Sequence, residues 1–566
     1  MIFLYRVKPE DVRLQVAPQN WDKQRPSLGG AIRVLCMLAY LGAAATSQAV
    51  YIDNKQTLQV TAKLQTRASI RLNNSEGFTF PSDVGSGDLV QWRNLALIEI
   101  DHDLVNLSQD LDVLYPLKAL NIESKYRLVG RFIYEAVYDV GPQSFQDVKE
   151  RDKENIDSFS HQYDLWEFYF DFSRGPWFLR VGRQNLAWGE TDMFRLLDYI
   201  NPLDNTFGGP FEDLDDRRIP LWMLRGTYDL GGVGPISSLM LEGFWVPGSW
   251  DVRVAPFPPV GTPYFPPLPA EYVPFLRVAT PDKTMSNSRW GVRLQGLVGS
   301  GLNLSVCHYK TYLDGPALRS VVTRNVPVLL DLDVLNLEAS FPAVQITGGS
   351  LSYWESHVDV ILRGEVAWFW DEPVLIPEEN LGTFFGPVIP LPPPLLDLAA
   401  EILGVDVRDL GLNGIPVNPQ SGTIPKKNIL RFMTGVDKQV WIRPLNKRST
   451  FLISMQYFGQ WISDYDEGLR QGIALYPSLS NFAKQKEFES ILTALIGTNY
   501  MNGRINPQVG LGYDVRGAWL LLGAINYVRE PFRFAIQYSG IEGNMTGFGA
   551  YRDRDQISFM FTYLLN

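Results

Sequence analysis

Cysteine is almost absent from this chain of 566 residues, which has only Cys36 and Cys307. Cys36 lies in an N-terminal segment expected to be removed, so the mature chain keeps a single thiol. That excludes an intrachain disulfide and a cysteine-based metal site. Histidine is scarce as well: His102, His161, His308 and His357 are scattered along the chain. No Gly-x-Ser-x-Gly elbow, His-Glu-x-x-His pair or phosphate-binding loop is present. Neither an enzyme nor a cofactor or metal centre is expected. Asp331-Leu332-Asp333 and Asp213–Asp216 lack the ligand spacing of a calcium loop and read as solvated acidic turns. Positive charge is not in excess; the net charge of −11 argues against nucleic acid as a partner. Long apolar runs are missing too. The longest, Val34 to Ala45, falls well short of the ~20 residues a spanning helix needs.

That run has the marks of an export signal. Arg33 precedes it, and Ser47-Gln48-Ala49 supplies the small residues of a signal-peptidase site, so Val50 is the expected first residue of the mature chain. Residues 1–49 are read as an extended leader: residues 1–30 are polar, carry Pro18 and Pro26, and exceed a normal n-region. Either the start codon lies further downstream or the leader is long. Cys36 sits inside the apolar core rather than at its end, which argues against a lipoprotein anchor.

What the chain does have is alternation. From Leu58 to Leu72, Leu58, Val60, Ala62, Leu64, Ala68, Ile70 and Leu72 alternate with Gln59, Thr61, Lys63, Gln65, Arg67, Ser69 and Arg71. A strand turns successive side chains to opposite faces, so this run has one apolar and one wet, cationic face. Comparable segments occur at 125–139, 163–172, 219–230, 357–370, 449–462, 516–528, 532–541 and 556–565. Weaker ones occur at 91–102, 177–184, 238–246, 289–298, 302–312, 342–354 and 428–441. Each is about as long as a tilted strand crossing a bilayer. Together they predict an all-β fold: a transmembrane, antiparallel up-and-down β-barrel of about sixteen strands over residues 50–566. Aromatic residues make up 13% of the chain, enough for two interfacial girdles.

The connectors supply an independent argument, because such barrels alternate short periplasmic turns with long extracellular loops. With the first strand starting at the periplasm, the connectors due to be short do fall at 173–176, 231–236, 299–301, near Glu355, 443–448 and 529–531. Those due to be long fall at 73–90, 140–162, 185–218, 247–288, 313–341, 371–427, 463–515 and 542–555. One misfit, 103–124, is long on the short side and reads as a helix or a missed pair of strands. The final run from Gln556 to Leu565 resembles the C-terminal signal read by the barrel-assembly machinery, although Asn566 stands where an aromatic usually ends the chain.

Two loops are apolar and proline-rich. Residues 247–281 hold Trp250, Phe257, Tyr264, Phe265, Tyr272 and Phe275; residues 371–427 hold Phe384-Phe385-Gly386-Pro387, Pro392-Pro393-Pro394 and a helix-like piece near Leu395–Leu403. They read either as a greasy entrance for hydrophobic solutes or as loops packed together over the barrel mouth. Residues 481–496 read as an amphipathic helix, with Phe482, Phe488, Ile491, Leu492, Leu495 and Ile496 near one face.

The densest polar cluster spans 180–220: Gly182-Arg183-Gln184, Trp188-Gly189-Glu190, Asn201-Pro202 and Asp215-Asp216-Arg217-Arg218-Ile219-Pro220. This succession resembles a family of proteobacterial outer-membrane proteins catalogued as a domain of unknown function. Genes of that family often neighbour those for an RND-type (MMPL) exporter and a LolB-like protein. The resemblance implies an outer-membrane barrel that moves lipid-like or other hydrophobic compounds, with those two proteins and outer-membrane lipid as partners. Loops of this kind fold inward in barrels. Arg183, Trp188, Glu190, Asp215, Asp216, Arg217 and Arg218 are then the candidate residues, either forming a charged constriction or pinning the loop to the wall.

Neither sign of charge dominates the polar faces. Lys63, Arg67, Arg71, Arg93, Arg127, Arg131, Arg293 and Arg363 stand against Glu99, Glu135, Asp139, Glu167, Asp359 and Glu365. A strongly ion-selective pore would show one sign. The reading is a passive outer-membrane conduit for hydrophobic or amphiphilic compounds. A general diffusion porin for small polar solutes is the alternative, and an outer-membrane enzyme or adhesion barrel stands third.

Overall fold

A computed structural model describes residues 50–53, 56–74, 84–104, 115–208, 211–259, 261–264, 276–299, 301–325, 332–381, 388–397, 414–416, 420–470, 484–544 and 547–565. The expected signal peptide, the run Phe384–Pro387, and Phe265, Tyr272, Phe275 and Phe482 lie outside these residues.

Eighteen antiparallel strands form one closed barrel. In chain order they are β1 (Leu58–Arg71), β2 (Leu89–Asp103), β3 (Glu123–Glu135), β4 (His161–Arg174), β5 (Trp177–Gln184), β6 (Leu221–Val233), β7 (Ile236–Val246), β8 (Arg289–Val298) and β9 (Leu302–Tyr312). The second half comprises β10 (Ala343–Glu355), β11 (Val360–Pro373), β12 (Lys426–Val440), β13 (Phe451–Ile462), β14 (Phe488–Gly497), β15 (Ile505–Asp514), β16 (Ala518–Arg529), β17 (Phe532–Gly543) and β18 (Gln556–Leu565). Each strand pairs with its neighbours in sequence, and β1 closes the ring on β18, from Ala62↔Leu565 to Arg71↔Gln556. Closure leaves no strand of the ring without a neighbour on each side, the condition under which a sheet can sit in lipid; the first half of β4 lacks ladder bonds on its β5 side.

The burial pattern is that of a soluble protein turned inside out. Leu179, Leu241, Val292, Val306, Val366, Met455, Leu492, Leu511, Ile525 and Ile536 face outward and are exposed, whereas Arg67, Arg93, Arg131, Glu242, Glu365, Gln456 and Asp514 are buried within. Period-2 alternation produces this directly, with apolar residues on the outer face and polar residues on the inner one. Trp177 meets Tyr228 and Tyr513 meets Trp519 in tilted ring contacts, at 4.3 and 4.2 Å between centroids, on the outside of the barrel.

The connectors sort by end as expected with one further exception, the three-residue link 515–517 at the long-loop end. At one end they are brief, such as 175–176, 234–235 and 530–531. Gly175 and Gly299, with φ of 55° and 58°, take the left-handed conformation that such tight reversals require. The long link 104–122 at this end contains the short helix Tyr115–Ala119. At the other end lie 136–160, 185–220, 247–288, 313–342 and 374–425. The first of these carries the helices Gln143–Arg151 and Lys153–Ser160, whose Phe145, Val148 and Ile156 pack with Val90 and Tyr138.

Two corrections concern residues 463–515. The segment is not one long loop, and 481–496 is not a helix. It holds the hairpin of β14 and β15, which raises the count from sixteen to eighteen and leaves the alternation of ends intact. In β14 the outward residues are Phe488, Leu492 and Ile496, but Ile491 and Leu495 face inward, and Ile491 packs on the luminal core. A strand apolar on both faces places residues at 488, 491, 492, 495 and 496, which is the spacing of a helix face.

The described part of the Pro-rich segment 247–264 turns inward. Val254 packs with Tyr312 and Phe341, and the buried Tyr264 hydroxyl donates to Gln556 Oε1 at 3.2 Å. In 371–427, Leu375, Ile376 and Leu381 are buried and residues 393–397 are helical; the remainder of the piece near Leu395–Leu403 lies outside the described residues.

Candidate functional site: a segment that crosses the lumen

After Gln184 the chain leaves the wall, enters the lumen, and rejoins the wall at Leu221. Asn201, fully buried, ties the two feet together. Its Oδ1 accepts from the Leu186 amide at 2.9 Å, and its Nδ2 donates to Ile219 O at 2.7 Å and Gln184 O at 3.3 Å. Backbone bonds from Asp204 N to Arg217 O and from Ile219 N to Pro202 O complete the neck. A single Asn side chain with both donor and acceptor serves three backbone groups that would otherwise be buried unpaired.

Beyond the neck the segment presents apolar side chains to an apolar stretch of inner wall. Leu186, Trp188, Leu196, Leu197 and Ile200 pack with Phe244 of β7, Tyr309 of β9, Ile346 of β10, Phe369 of β11 and Phe458 of β13. Trp188 is 1% exposed. Its ring meets Phe244 and Tyr309 edge-on at 5.3 and 5.7 Å, and its Nε1 donates to Glu242 Oε2 at 2.9 Å. Glu242 in turn holds Arg225 and Arg293, each at 2.7 Å.

Wall side chains grip the backbone of the segment. Glu365 accepts from the amides of Glu190 and Leu197, both at 2.6 Å. Tyr309 Oη donates to Leu197 O and Thr311 Oγ1 to Tyr199 O, both at 2.7 Å. Arg363 donates to Glu190 O at 2.7 Å and pairs with Asp192 at 2.5 Å and Asp437 at 2.9 Å. Arg195 pairs with Asp314 at 2.6 Å. At the far side, Glu212 meets Arg93 of β2 at 2.6 Å and Arg67 of β1 at 3.5 Å, and accepts from Gln91 Nε2 at 2.9 Å. β2 and β11 are nine strands apart in an eighteen-strand ring, so the segment spans the full diameter.

Electrostatics differ at two buried carboxylates of this segment, Glu212 and Asp198. Burial alone would raise the Glu212 carboxyl, but the guanidiniums of Arg93 and Arg67 outweigh it and hold the pKa down at about 2. At Asp198 burial wins over Arg195 and Arg218, and the carboxyl is raised. A cavity of about 320 Å³ lies beside the segment, lined by Tyr199, Leu313, Asp314, Glu372, Pro373 and Arg431 among others. No group of three or more His, Cys, Asp or Glu among the described residues is arranged to hold a metal ion.

The seven residues singled out in the sequence do not converge on one point. Trp188 and Glu190 lie on the β7–β11 side, as above. Arg183 stays in the wall, where it makes a bidentate pair with Asp164 at 2.5 and 2.8 Å. Arg218 bonds Asp198 and Asp215, each at 2.5 Å, and the Asp215 side chain is otherwise exposed. Arg217 donates to Asn205 Oδ1 at 2.6 Å, and Asp216 lies 3.9 Å from Lys63. Asp192, Arg195, Glu212, Tyr309, Asp314 and Glu365 were not singled out. In the sequence Glu365 reads only as a charge on a strand face, and nothing local marks it as the acceptor for a loop 168 residues away.

The sequence pattern of a family described as "Protein of unknown function (DUF1302)" matches residues 31–565. No curated protein matches the chain. Among solved structures, OccK3 (OpdO) of Pseudomonas aeruginosa is similar with 8% identity and a TM-score of 0.43, over 90% of this chain and 95% of that one. OccAB4 of Acinetobacter baumannii is similar with 10% identity and a TM-score of 0.42, over 92% and 99%. OccK9 (OpdG) of Pseudomonas aeruginosa also has 10% identity and a TM-score of 0.42, over 91% and 99%.

Proposed function

The chain belongs to the DUF1302 family, and from that premise we propose an outer-membrane channel whose passage is set by segment 185–220 and whose cargo is hydrophobic or amphiphilic. A closed barrel with an apolar exterior, one of the two backbone architectures that lipid tolerates, supports the outer-membrane location.

One observation carries the cargo reading. Across the lumen the segment brings Trp188, Leu196, Leu197 and Ile200 against Phe244, Tyr309, Phe369 and Phe458, while the charges that hold it there are matched with opposite charges. Arg363 has Asp192 and Asp437, Arg195 has Asp314, and Glu212 has Arg93 and Arg67. Paired charges leave little net field for selecting small ions, and the buried apolar contact across the lumen narrows the aqueous path, so both features favour apolar over small ionic cargo. An RND-type exporter and a LolB-like protein fit as envelope partners for such cargo.

The alternative, a general diffusion porin, draws on the cavity beside Asp314, Glu372 and Arg431, which offers polar groups to a small solute. Planar-bilayer recordings with proteoliposome transfer separate the two. A small conductance together with transfer of a fluorescent fatty acid supports the conduit. A large ohmic current, indifferent to solute and without fatty-acid transfer, overturns it. Replacing residues 187–216 by a short Gly-Ser linker is expected to raise the conductance several-fold.

A further inference from the structure

The ladder between β4 and β5 stops early. β5 has 8 residues and β4 has 14. Their pairing runs from Arg174↔Trp177 only to Phe168↔Arg183. His161–Glu167 therefore has no strand beside it on that side, although it is laddered to β3 on the other, from Tyr134↔His161 to Val129↔Glu167. β6 does not cover the gap, because it begins at Leu221 opposite Gln184. No other pair of neighbouring barrel strands leaves so long a stretch unpaired among the described residues; the overhangs of β1, β2, β6 and β17 are shorter. Seven residues at about 3.3 Å each, on a strand tilted by roughly 40°, make an opening on the order of 15 Å tall.

An open edge facing lipid is not tolerated without a substitute for the missing ladder. Here side chains provide it. Arg183 Nη1 donates to Leu165 O, its Nη1 and Nη2 clasp Asp164, and its Nε donates to Pro220 O at 3.3 Å. Asn185 Nδ2 donates to Glu167 Oε1 at 3.0 Å. Behind this latch, Ile219 packs on Val129 and Trp166. Trp166 sits where the β3–β4 register shifts, a bulge that frees one residue from the ladder. Outside the latch, Tyr163 and Leu165 are exposed on the lipid-facing side. One arginine thus joins both edges of the gap at the point where segment 185–220 departs and returns.

We propose that this gap is a lateral portal through which an amphiphile with a long apolar chain passes between the lumen and the bilayer when Arg183 releases Leu165 and Pro220. The inference rests on the conduit reading for its cargo, but the existence of the opening does not. Side-chain bonds at a single residue can break without unzipping strands, and the feet of the luminal segment lie directly behind them. Cargo excluded from water would leave sideways rather than through the loops.

The test is photo-crosslinking in phospholipid vesicles, with benzoylphenylalanine in place of Ile219 and, as the walled-in control, in place of Thr493 of β14. Adducts with phospholipid tails are expected at the first position and not at the second. Arg183→Ala should increase them several-fold. Equal or absent adducts overturn the portal. The same probe in place of Trp166 repeats the measurement should the first variant fail to assemble. In parallel, Leu165→Cys and Pro220→Cys are bridged by a bismaleimide in a Cys307→Ser background. Bridging is expected to stop fatty-acid transfer and leave ion conductance unchanged; unaltered transfer overturns the portal as the route. Lipid adducts at position 219 with no transfer by the unmodified protein would overturn the conduit reading alone.

Discussion

Arg363 and Arg93 stand on strands at opposite sides of the barrel, and each holds one end of the same luminal segment. Arg363 does so through Asp192 at 2.5 Å and Arg93 through Glu212 at 2.6 Å. The span between them is filled with apolar contacts, so the segment is fixed at two charged ends and packed in the middle. The two attachments share no residue, so each can be removed without touching the other.

Detachment from the β11 end is governed by Glu365. Its carboxyl accepts two backbone amides, and a buried amide left without its acceptor costs about 1–3 kcal/mol. Glu365→Ala leaves the amides of Glu190 and Leu197 without that acceptor. We expect docking weakened by about 3 kcal/mol, larger and noisier single-channel currents, and protease cleavage between residues 187 and 200 under conditions where the unaltered protein resists.

The neck depends on Asn201 in a different way. Asn201→Ala removes one side chain and strands the Leu186 amide together with the carbonyls of Gln184 and Ile219. A buried unpaired group costs about 1–3 kcal/mol. Asn201→Ala is therefore expected to cost more than Asn205→Ala, where one side-chain bond to Arg217 is lost. The thermal transition of the folded barrel, followed by its heat-modifiable gel mobility, gives the comparison.

Acid should loosen the β1–β2 end. The Glu212 carboxyl, ordinarily near 4.5, is held at about 2 by Arg93 and Arg67 in the docked segment. A depressed carboxyl stabilises the docked form fully above the undocked pKa, and that stabilisation is lost as pH falls through the docked one. Currents should be steady from pH 7 to about 5 and increase in amplitude or noise as pH falls from about 4.5 to about 2. Glu212→Gln should show the loosened behaviour already at pH 7 and lose the dependence in that window. An unchanged pH profile in Glu212→Gln would remove Glu212 from the account.

Much of the barrel was legible because its two faces are chemically opposed. Along β1, Leu64, Ala68 and Ile70 alternate with Gln65, Arg67, Ser69 and Arg71, and lipid on one side and a polar lumen on the other demand that alternation. Where the lumen is filled by the chain itself, the opposition fails. Ile491 and Leu495 face inward, Ile491 against an apolar core, and turn β14 into an apparent helix. In β15, Gly510 and Gly512 supply no inward side chain at all, and Pro507 is a weak strand signal. The site was legible to the extent that its residues cluster in sequence. Trp188, Glu190, Asn201 and Arg218 all belong to the luminal segment, but the partners that hold it, such as Tyr309 and Glu365, lie more than a hundred residues away and carry no local mark.

The β14–β15 hairpin, hidden from periodicity, has a direct test. Leu492 lies mid-strand and faces outward, with Tyr457 and Tyr513 as its cross-strand neighbours. An arginine on the lipid face at mid-bilayer costs about 2–4 kcal/mol. Gln508 of β15 faces the lumen near the short-turn end and is exposed there. Leu492→Arg should therefore lower the urea midpoint of the barrel reconstituted in a lipid bilayer markedly, while Gln508→Arg leaves it close to the unaltered value. A surface helix over 481–496 would predict the opposite insensitivity at Leu492 to bilayer thickness: in the hairpin, thickening the bilayer with longer acyl chains deepens the penalty, because the arginine then has further to reach for water.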